Sequence, residues 1–280
     1  MILTLSVDFT MSDACSFVNR SKSGFYKRIK ESSKRQHEEE KVLEYIKEIR
    51  KSGINCGARK MQVYLDRFFG YRIGRDKLFS LMAKHNLQCR YYKQKIITSN
   101  GRKSEYPNLL KDRETTKFGE CLVTDITYIR LPNGRFCYAS IISDVKTRMI
   151  LGHHVSDNLL VEGSMKALVN ALKNKNIPKG AIHHSDHGVQ YTSYDYTSYL
   201  KSRGMKISMT GSGKCYDNAQ AERIFNTLKY EYGFKDIFSS LKEVRKELSK
   251  FVEIYNNIRI HNSLGNITPK EMYESLIRAA

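Results

Sequence analysis

Residues 121–143 read CLVTDITYIRLPNGRFCYASIIS. Cys121 to Ile129 is a near-continuous β-branched and aromatic run, Asn133-Gly134 is a hairpin turn signal, and Phe136 to Ser143 is a second strand. Downstream, Met149 to Val155 reads as a third strand. An amphipathic helix from Val161 to Asn174, with Met165, Leu168, Val169 and Leu172 at helical spacing, then crosses to a short strand at Ala181 to His184. After Tyr196 to Leu200 come a strand at Met205 to Met209, a helix through Lys229 and another from Leu241 to Ile258. Antiparallel strands followed by helix-strand alternation predict a mixed α/β sheet.

The opening strand carries one ionisable group in an awkward place. Alternation puts Val123, Asp125, Thr127 and Ile129 on one face, and a carboxylate among buried neighbours costs several kcal/mol unless something positive stands beside it. A solvent-open face would remove that cost. Asp186 changes the balance, because it ends the strand AIHHS and is followed by Gly188, which lets the chain turn away. Asp144 ends a strand in the same way and competes with it. A third carboxylate lies within TGSGKCYDNAQAERIFNTLK (210–229), where Lys214 is followed by Cys215 rather than the hydroxyl a phosphate-binding P-loop needs. Asp217 or Asn218 instead caps a helix with a polar stripe of Asn218, Glu222, Asn226 and Lys229 and a buried one of Ala221, Phe225 and Leu228.

Two strand-end aspartates and a helical glutamate suit hard divalent cations. Such a crowd of carboxylates is stable mainly when metal neutralises it, and two ions about 3.5–4 Å apart support in-line displacement at phosphorus. The histidines His183, His184 and His187 have no Cys or Glu partner at zinc spacing, which favours supporting or DNA-contact roles. Gln190 and Tyr191 divide between packing and DNA contact.

Composition points to the same partner. Lysine and arginine number 48 against 29 acidic residues, a net charge of +19 that gathers polyanions, while a 40% hydrophobic share still supports a core. The six cysteines show no CxxC pair, which reads as reduced thiols. No stretch approaches the roughly 20 apolar residues of a membrane span, and the start lacks a signal peptide pattern, so the expectation is a soluble cytoplasmic protein without a membrane partner.

Upstream of the sheet the chain reads as helical and basic. Asp13 to Val18 and Gly24 to Ile29 form a candidate helix-turn-helix whose second helix presents Lys22, Lys27 and Arg28. Glu38 to Lys51 is an amphipathic helix on Val42, Tyr45, Ile46 and Ile49, and two more are expected at Lys60 to Phe69 and Arg75 to Asn86. From Gln88 to Thr116 periodicity disappears. This reads as a basic linker whose Tyr91 and Tyr92 can stack on bases. The expected domains are 1–36, a short helix-turn-helix; 37–89, a second helical DNA-binding unit; 90–116, the linker; and 117–280, the catalytic unit.

Four stretches carry a family resemblance: VTDITYI (123–129), HSDHGVQYTS (184–193), KCYDNAQAERIFNTLKYE (214–231) and YNNIRIHNSLGNITPKEMY (255–273), with 35 residues separating Asp186 from Glu222. They resemble the DDE transposases of the insertion-sequence-three family, in particular the downstream-frame product, whose catalytic core is related to retroviral integrases. SFVNRSKSGFYKRI and VLEYIKEIRKSGINCGARKM resemble the family's N-terminal helical units. The resemblance implies an RNase H-like mixed five-stranded sheet with flanking helices, preceded by small all-α helix-turn-helix units. It implies Asp125, Asp186 and Glu222 as the catalytic and metal-binding triad for Mg2+ or Mn2+, two ions in all. Lys229, His187 and Gln190 are expected to contact DNA.

The implied chemistry is hydrolysis at the element's end followed by attack of the freed 3′-hydroxyl on a second phosphodiester, without a covalent enzyme intermediate. Terminal inverted repeats and target DNA would be the substrates, a homo-oligomer on paired ends the working state, the upstream-frame protein a further partner, and the bacterial nucleoid the place. Leu122 and Cys56 stand where the family usually has Trp and Tyr; no triad position is altered. Two other classes stay open: a metal-dependent nuclease on the same sheet that joins no ends, and a non-catalytic regulator that occupies the repeats.

Overall fold

The β-branched run does form a strand, β1 (Cys121–Arg130), and it becomes the centre of the molecule. In the computed structural model, which describes residues 15–17, 19, 21–89, 106–111, 113–173, 176–210 and 218–279, β1 pairs antiparallel with β2 (Phe136–Asp144) from Leu122↔Asp144 to Arg130↔Phe136. Asn133 adopts a left-handed backbone at the hairpin turn, as the Asn-Gly pair predicts. β3 (Ile150–Ser156) adds antiparallel to β2, while β4 (Ile182–Ser185) lies parallel to β1 and β5 (Lys206–Met209) parallel to β4. The strand order is β3-β2-β1-β4-β5, a mixed five-stranded sheet.

Helices cover both faces and bury most of the large apolar strand residues; Tyr128 and Phe136, near the hairpin turn, stay exposed. On one face α4 (Val161–Ala171), the short α5 (Val189–Thr192) and α6 (Tyr194–Ser202) pack through Ala167, Leu168, Tyr196 and Leu200 against Leu122 and Ile142. Gly152 permits the close approach of β3 to α4: a Cβ there would stand 2.2 Å from the Ala167 carbonyl oxygen. On the other face α7 (Ala219–Glu231) and α8 (Leu241–Asn257) place Ile224, Leu228, Leu248 and Phe251 over Ile129, Ile141 and Val155. A last helix, α9 (Pro269–Arg278), begins with a Thr268–Glu271 capping box and was not anticipated from periodicity.

The N-terminal region departs from the expected division. A single continuous helix, α1 (Lys22–Lys51), spans the two expected at Gly24 to Ile29 and Glu38 to Lys51, so a boundary at residue 36 would fall in mid-helix. After Gly24 the stretch holds no proline or glycine to break it, and straight-chain Lys, Arg, Glu and Gln propagate the helix at little cost. Only its second half has a core: Val42, Ile46 and Ile49 meet Met61, Tyr64 and Leu65 of α2 (Ala58–Phe69) and Leu78 and Met82 of α3 (Arg75–Lys84). Lys22, Lys27 and Arg28 are all exposed on the coreless half.

This helical unit is joined to the sheet unit by specific contacts. Ile260, beyond α8, inserts into the helical core, and its backbone N–H donates to the Tyr64 hydroxyl at 2.9 Å. That hydroxyl donates in turn to the Ile258 carbonyl at 3.3 Å. Arg67 pairs with Glu271 of α9. Tyr91 and Tyr92, with most of the expected linker, lie outside the described residues.

Candidate active site

β4 pairs with β1 only as far as Val123↔His184. Two residues further along each strand stand Asp125 and Asp186, so the parallel register carries the two carboxylates side by side where β4 ends. Asp125 is half-buried at mid-strand, and its Oδ1 accepts from the Ile126 backbone N–H at 2.8 Å. Burial first, and then the Asp186 charge, push its carboxyl up to about 8; Glu222 adds to the rise, while the Ile126 N–H and Lys229 oppose it. An acid held this far from its ordinary range marks a cluster short of positive charge.

Asp186 is exposed and shaped by the turn that follows it. Its Oδ1 accepts from the Gly188 N–H at 3.0 Å, and a Cβ on Gly188 would stand 3.0 Å from that same oxygen. Beneath the turn His187 donates through Nε2 to the Thr210 carbonyl at 2.5 Å, fixing the loop to the end of β5. His187 therefore supports the loop.

Glu222 comes from the first turn of α7, on an exposed side, and burial raises its carboxyl above the ordinary range. The helix is aimed by Asn218. This residue is buried, and its amide reaches the Thr124 carbonyl of β1 at 3.0 Å instead of capping its own helix. One helical turn separates Asn218 from Glu222, so the tie to residue 124 orients Glu222 toward Asp125. Lys229 is half-buried. Burial and Lys235 lower its ammonium below the usual lysine range, while attraction to Asp125 works the other way. Its charge thus acts on the acidic site itself. Among the described residues no three His, Cys, Asp or Glu side chains stand together closely enough to hold a metal ion.

The competing groups find other employment. Asp144 is buried, with its Oδ1 accepting from the Gly119 N–H at 2.9 Å and its Oδ2 from the Thr147 N–H and hydroxyl, both at 2.7 Å; it staples a turn. Gln190, expected at DNA, is instead buried, and its amide donates to the Leu159 carbonyl at 2.7 Å, so packing is its role. His183 is buried against the Tyr196 hydroxyl at 3.0 Å and pushed down to about 3 by burial and then His184, which keeps it neutral. His184 lies 2.8 Å from the Ser208 hydroxyl. Asp217 and Cys215 lie outside the described residues.

Two features had no local signal in the sequence. Arg259 is buried and forms a two-pronged pair with Glu231 of α7, at 3.0 and 2.8 Å, from a position 28 residues away. Arg148, in the β2–β3 turn, donates to Gln220 of α7. Both hold α7 against its neighbours through contacts that no periodicity reveals.

An integrase core domain model matches residues 115–215, a second integrase core domain model matches 203–269, and an HTH-like domain model matches 36–95. An uncharacterized 31 kDa protein of insertion element IS600 from Shigella sonnei is 34% identical over 266 residues, which span 93% of this chain and 97% of that protein. The putative transposase InsK for insertion sequence element IS150 of Escherichia coli K12 is 31% identical over 217 residues, 77% of this chain and 76% of that one. The transposase InsF for insertion sequence IS3A of the same organism is 34% identical over 148 residues, 52% of this chain and 51% of its own.

Proposed function

This chain belongs to the insertion-sequence transposases, with an RNase H-like integrase core behind an HTH-like domain, and from that premise we propose that it cuts and joins DNA at the ends of its element with Asp125, Asp186 and Glu222 as the catalytic acids. The observation that carries the assignment is Asp125: a mid-strand carboxyl beside Asp186, raised to about 8, with Glu222 among the charges acting on it. Nothing in the packing of the sheet needs an acid at that position.

The donor set fits magnesium or manganese. All three groups offer oxygen, two of them are exposed toward solvent, and the charge of Lys229 acts on Asp125 against the other acids. When bound, such ions polarise the scissile phosphodiester and make the attacking hydroxyl more acidic. Asp125 would be the most firmly held ligand, because β1 is paired with β2 across Asp125↔Ile141 and with β4 as far as Val123↔His184. Asp186 is shaped by the turn at Gly188 and Glu222 is carried on a helix anchored by Asn218, and both acids are exposed to solvent, where a DNA strand can reach them. Lys229 limits the repulsion within the site and orients a backbone phosphate. The HTH-like domain reads the terminal inverted repeats, and copies of the chain pair the two ends.

The test is a strand-transfer assay with paired element-end DNA and Mg2+ or Mn2+. Hydrolysis followed by joining is expected, and both activities are lost in Asp125→Asn, Asp186→Asn and Glu222→Gln. Cutting without joining would favour a nuclease. DNA binding with neither activity would favour a regulator, and full activity in any of the three variants would sink the assignment.

A further inference from the structure

Between the helical unit and the sheet unit lies a cavity of about 1130 Å3 that the acidic site does not use. It lies along the side of α7 turned away from the Glu222 stripe, through Arg223, Thr227 and Glu231. That volume exceeds the roughly 300–1,000 Å3 of an ordinary small-molecule pocket, and its walls suit a polymer.

Six cations line it: Arg59, Lys60, Arg75, Arg148, Arg223 and Arg259. Against them stand Asp76, held by Arg75 at 2.8 Å, and Glu231, held by Arg259. Arg59, Lys60, Arg148 and Arg223 have no carboxylate partner among the described residues. Burial, and after it Arg259, hold the Lys60 ammonium below its ordinary value, with Glu231 pulling the other way. The same cations, after burial, push His261 on the cavity wall down to about 2. The Arg148 Nε is buried without a hydrogen-bond partner. Such a surplus is stable when an anion is present.

Backbone dipoles add to it. The first turns of α2, α3 and α7 line the cavity at Ala58 to Lys60, Arg75 and Asp76, and Ala219 and Gln220, and none of these helices has a side-chain cap on its opening N–H groups. Phe79, 55% exposed on the same wall, offers an apolar platform for a base.

We propose that this groove binds the phosphodiester backbone of DNA, holding a strand between the HTH-like domain and the catalytic core. The inference rests on the transposase reading for its partner, yet it concerns a surface separate from the three carboxylates. The groove passes on the far side of the helix that bears Glu222, so DNA seated there also braces that helix from behind.

The experiment uses the full chain without divalent metal. Binding of a fluorescent DNA of arbitrary sequence, as a duplex and as a single strand, is followed by anisotropy across a salt series. The test pair is Arg59→Glu with Arg223→Glu, two exposed side chains; the control pair is Lys242→Glu with Lys246→Glu on the exposed face of α8. Each lost phosphate contact weakens binding roughly tenfold at about 0.1 M salt, so the test pair loses about a hundredfold and its salt slope falls by about two. The control pair loses far less. Loss on the duplex, the single strand or both supports the groove and says which form it takes. Should the glutamate pair lower the melting temperature, Arg59→Gln with Arg223→Gln carries the test. Unchanged binding, or an equal loss in the control pair, overturns the proposal. Failure of the catalytic reading looks different: wild type would then bind through the groove and neither cut nor join.

Discussion

Glu231→Gln removes the anion from a guanidinium that has almost no water around it. The Arg259 side chain is 7% exposed and the Glu231 side chain 24%, with their closest atoms 2.8 Å apart. Burial alone would lower the arginine's proton affinity, but the Glu231 charge and its hydrogen bonds reverse this and hold it above the ordinary arginine range. At an effective dielectric near 20 the gross attraction at that distance is about 6 kcal/mol, part of which offsets the desolvation of both ions. Breaking such a pair from one side costs about 3–5 kcal/mol. Glutamine keeps one acceptor oxygen, and Thr227 still accepts from Arg259 at 3.4 Å, which places the loss near the lower end, about 3 kcal/mol. For a chain of this size that corresponds to a melting temperature roughly 6–12 °C lower. The assay is thermal and urea unfolding of the single variants and of Glu231→Leu with Arg259→Met. Because the double variant leaves no buried charge, it should recover most of the stability. Losses below about 0.5 kcal/mol in the single variant, or losses that simply add in the double one, would refute the reasoning.

Other consequences are as direct. Asp125 has a folded value near 8 against an ordinary 3.8, so its contribution to stability is complete below about pH 4 and is lost as pH rises toward 8. Melting temperature measured against pH without metal should therefore decline over that window in wild type, flatten in Asp125→Asn, and recover on adding Mg2+. Gly152→Ala puts a methyl group into the α4 backbone at Ala167 and Ala171, and a loss of about 3 kcal/mol or more in urea unfolding is expected. Tyr64→Phe strips the acceptor from the buried Ile260 N–H, for about 1–3 kcal/mol; proteolysis should then find the junction between the helical and sheet units more readily.

Much of this was legible in the sequence because it is written in local patterns. The 121–143 stretch announces two strands and a turn through residue type alone, and the structure moves their ends by a residue. Glu222 could be put on a helix from the spacing of Ala221, Phe225 and Leu228, which are buried as a stripe requires. What failed depended on contacts distant along the chain. Asp144 and Asp186 both end strands, and only the bonds from Gly119 and Thr147 reveal the first as a turn staple. Gln190 looked available for DNA until Leu159, thirty-one residues earlier, claimed its amide. The break expected between residues 30 and 38 failed for another reason: nothing there stops a helix, and its polar residues neither require a core nor oppose continuation. Likewise the basic groove assembles residues 59, 75, 148, 223 and 259 from separate elements, and in the sequence they contribute only to a net charge of +19.

The three carboxylates are tested most directly by titrating the metal-free protein with Mn2+ in calorimetry at pH 7, in two buffers of different protonation enthalpy. Wild type should bind the ion with release of protons, because the Asp125 carboxyl, raised to about 8, must give up its proton to become a ligand. Asp125→Asn should bind weakly and release none, and Asp186→Asn and Glu222→Gln should each lose affinity. If all three variants bound Mn2+ as wild type does, with the same proton release, these residues would not be the metal site.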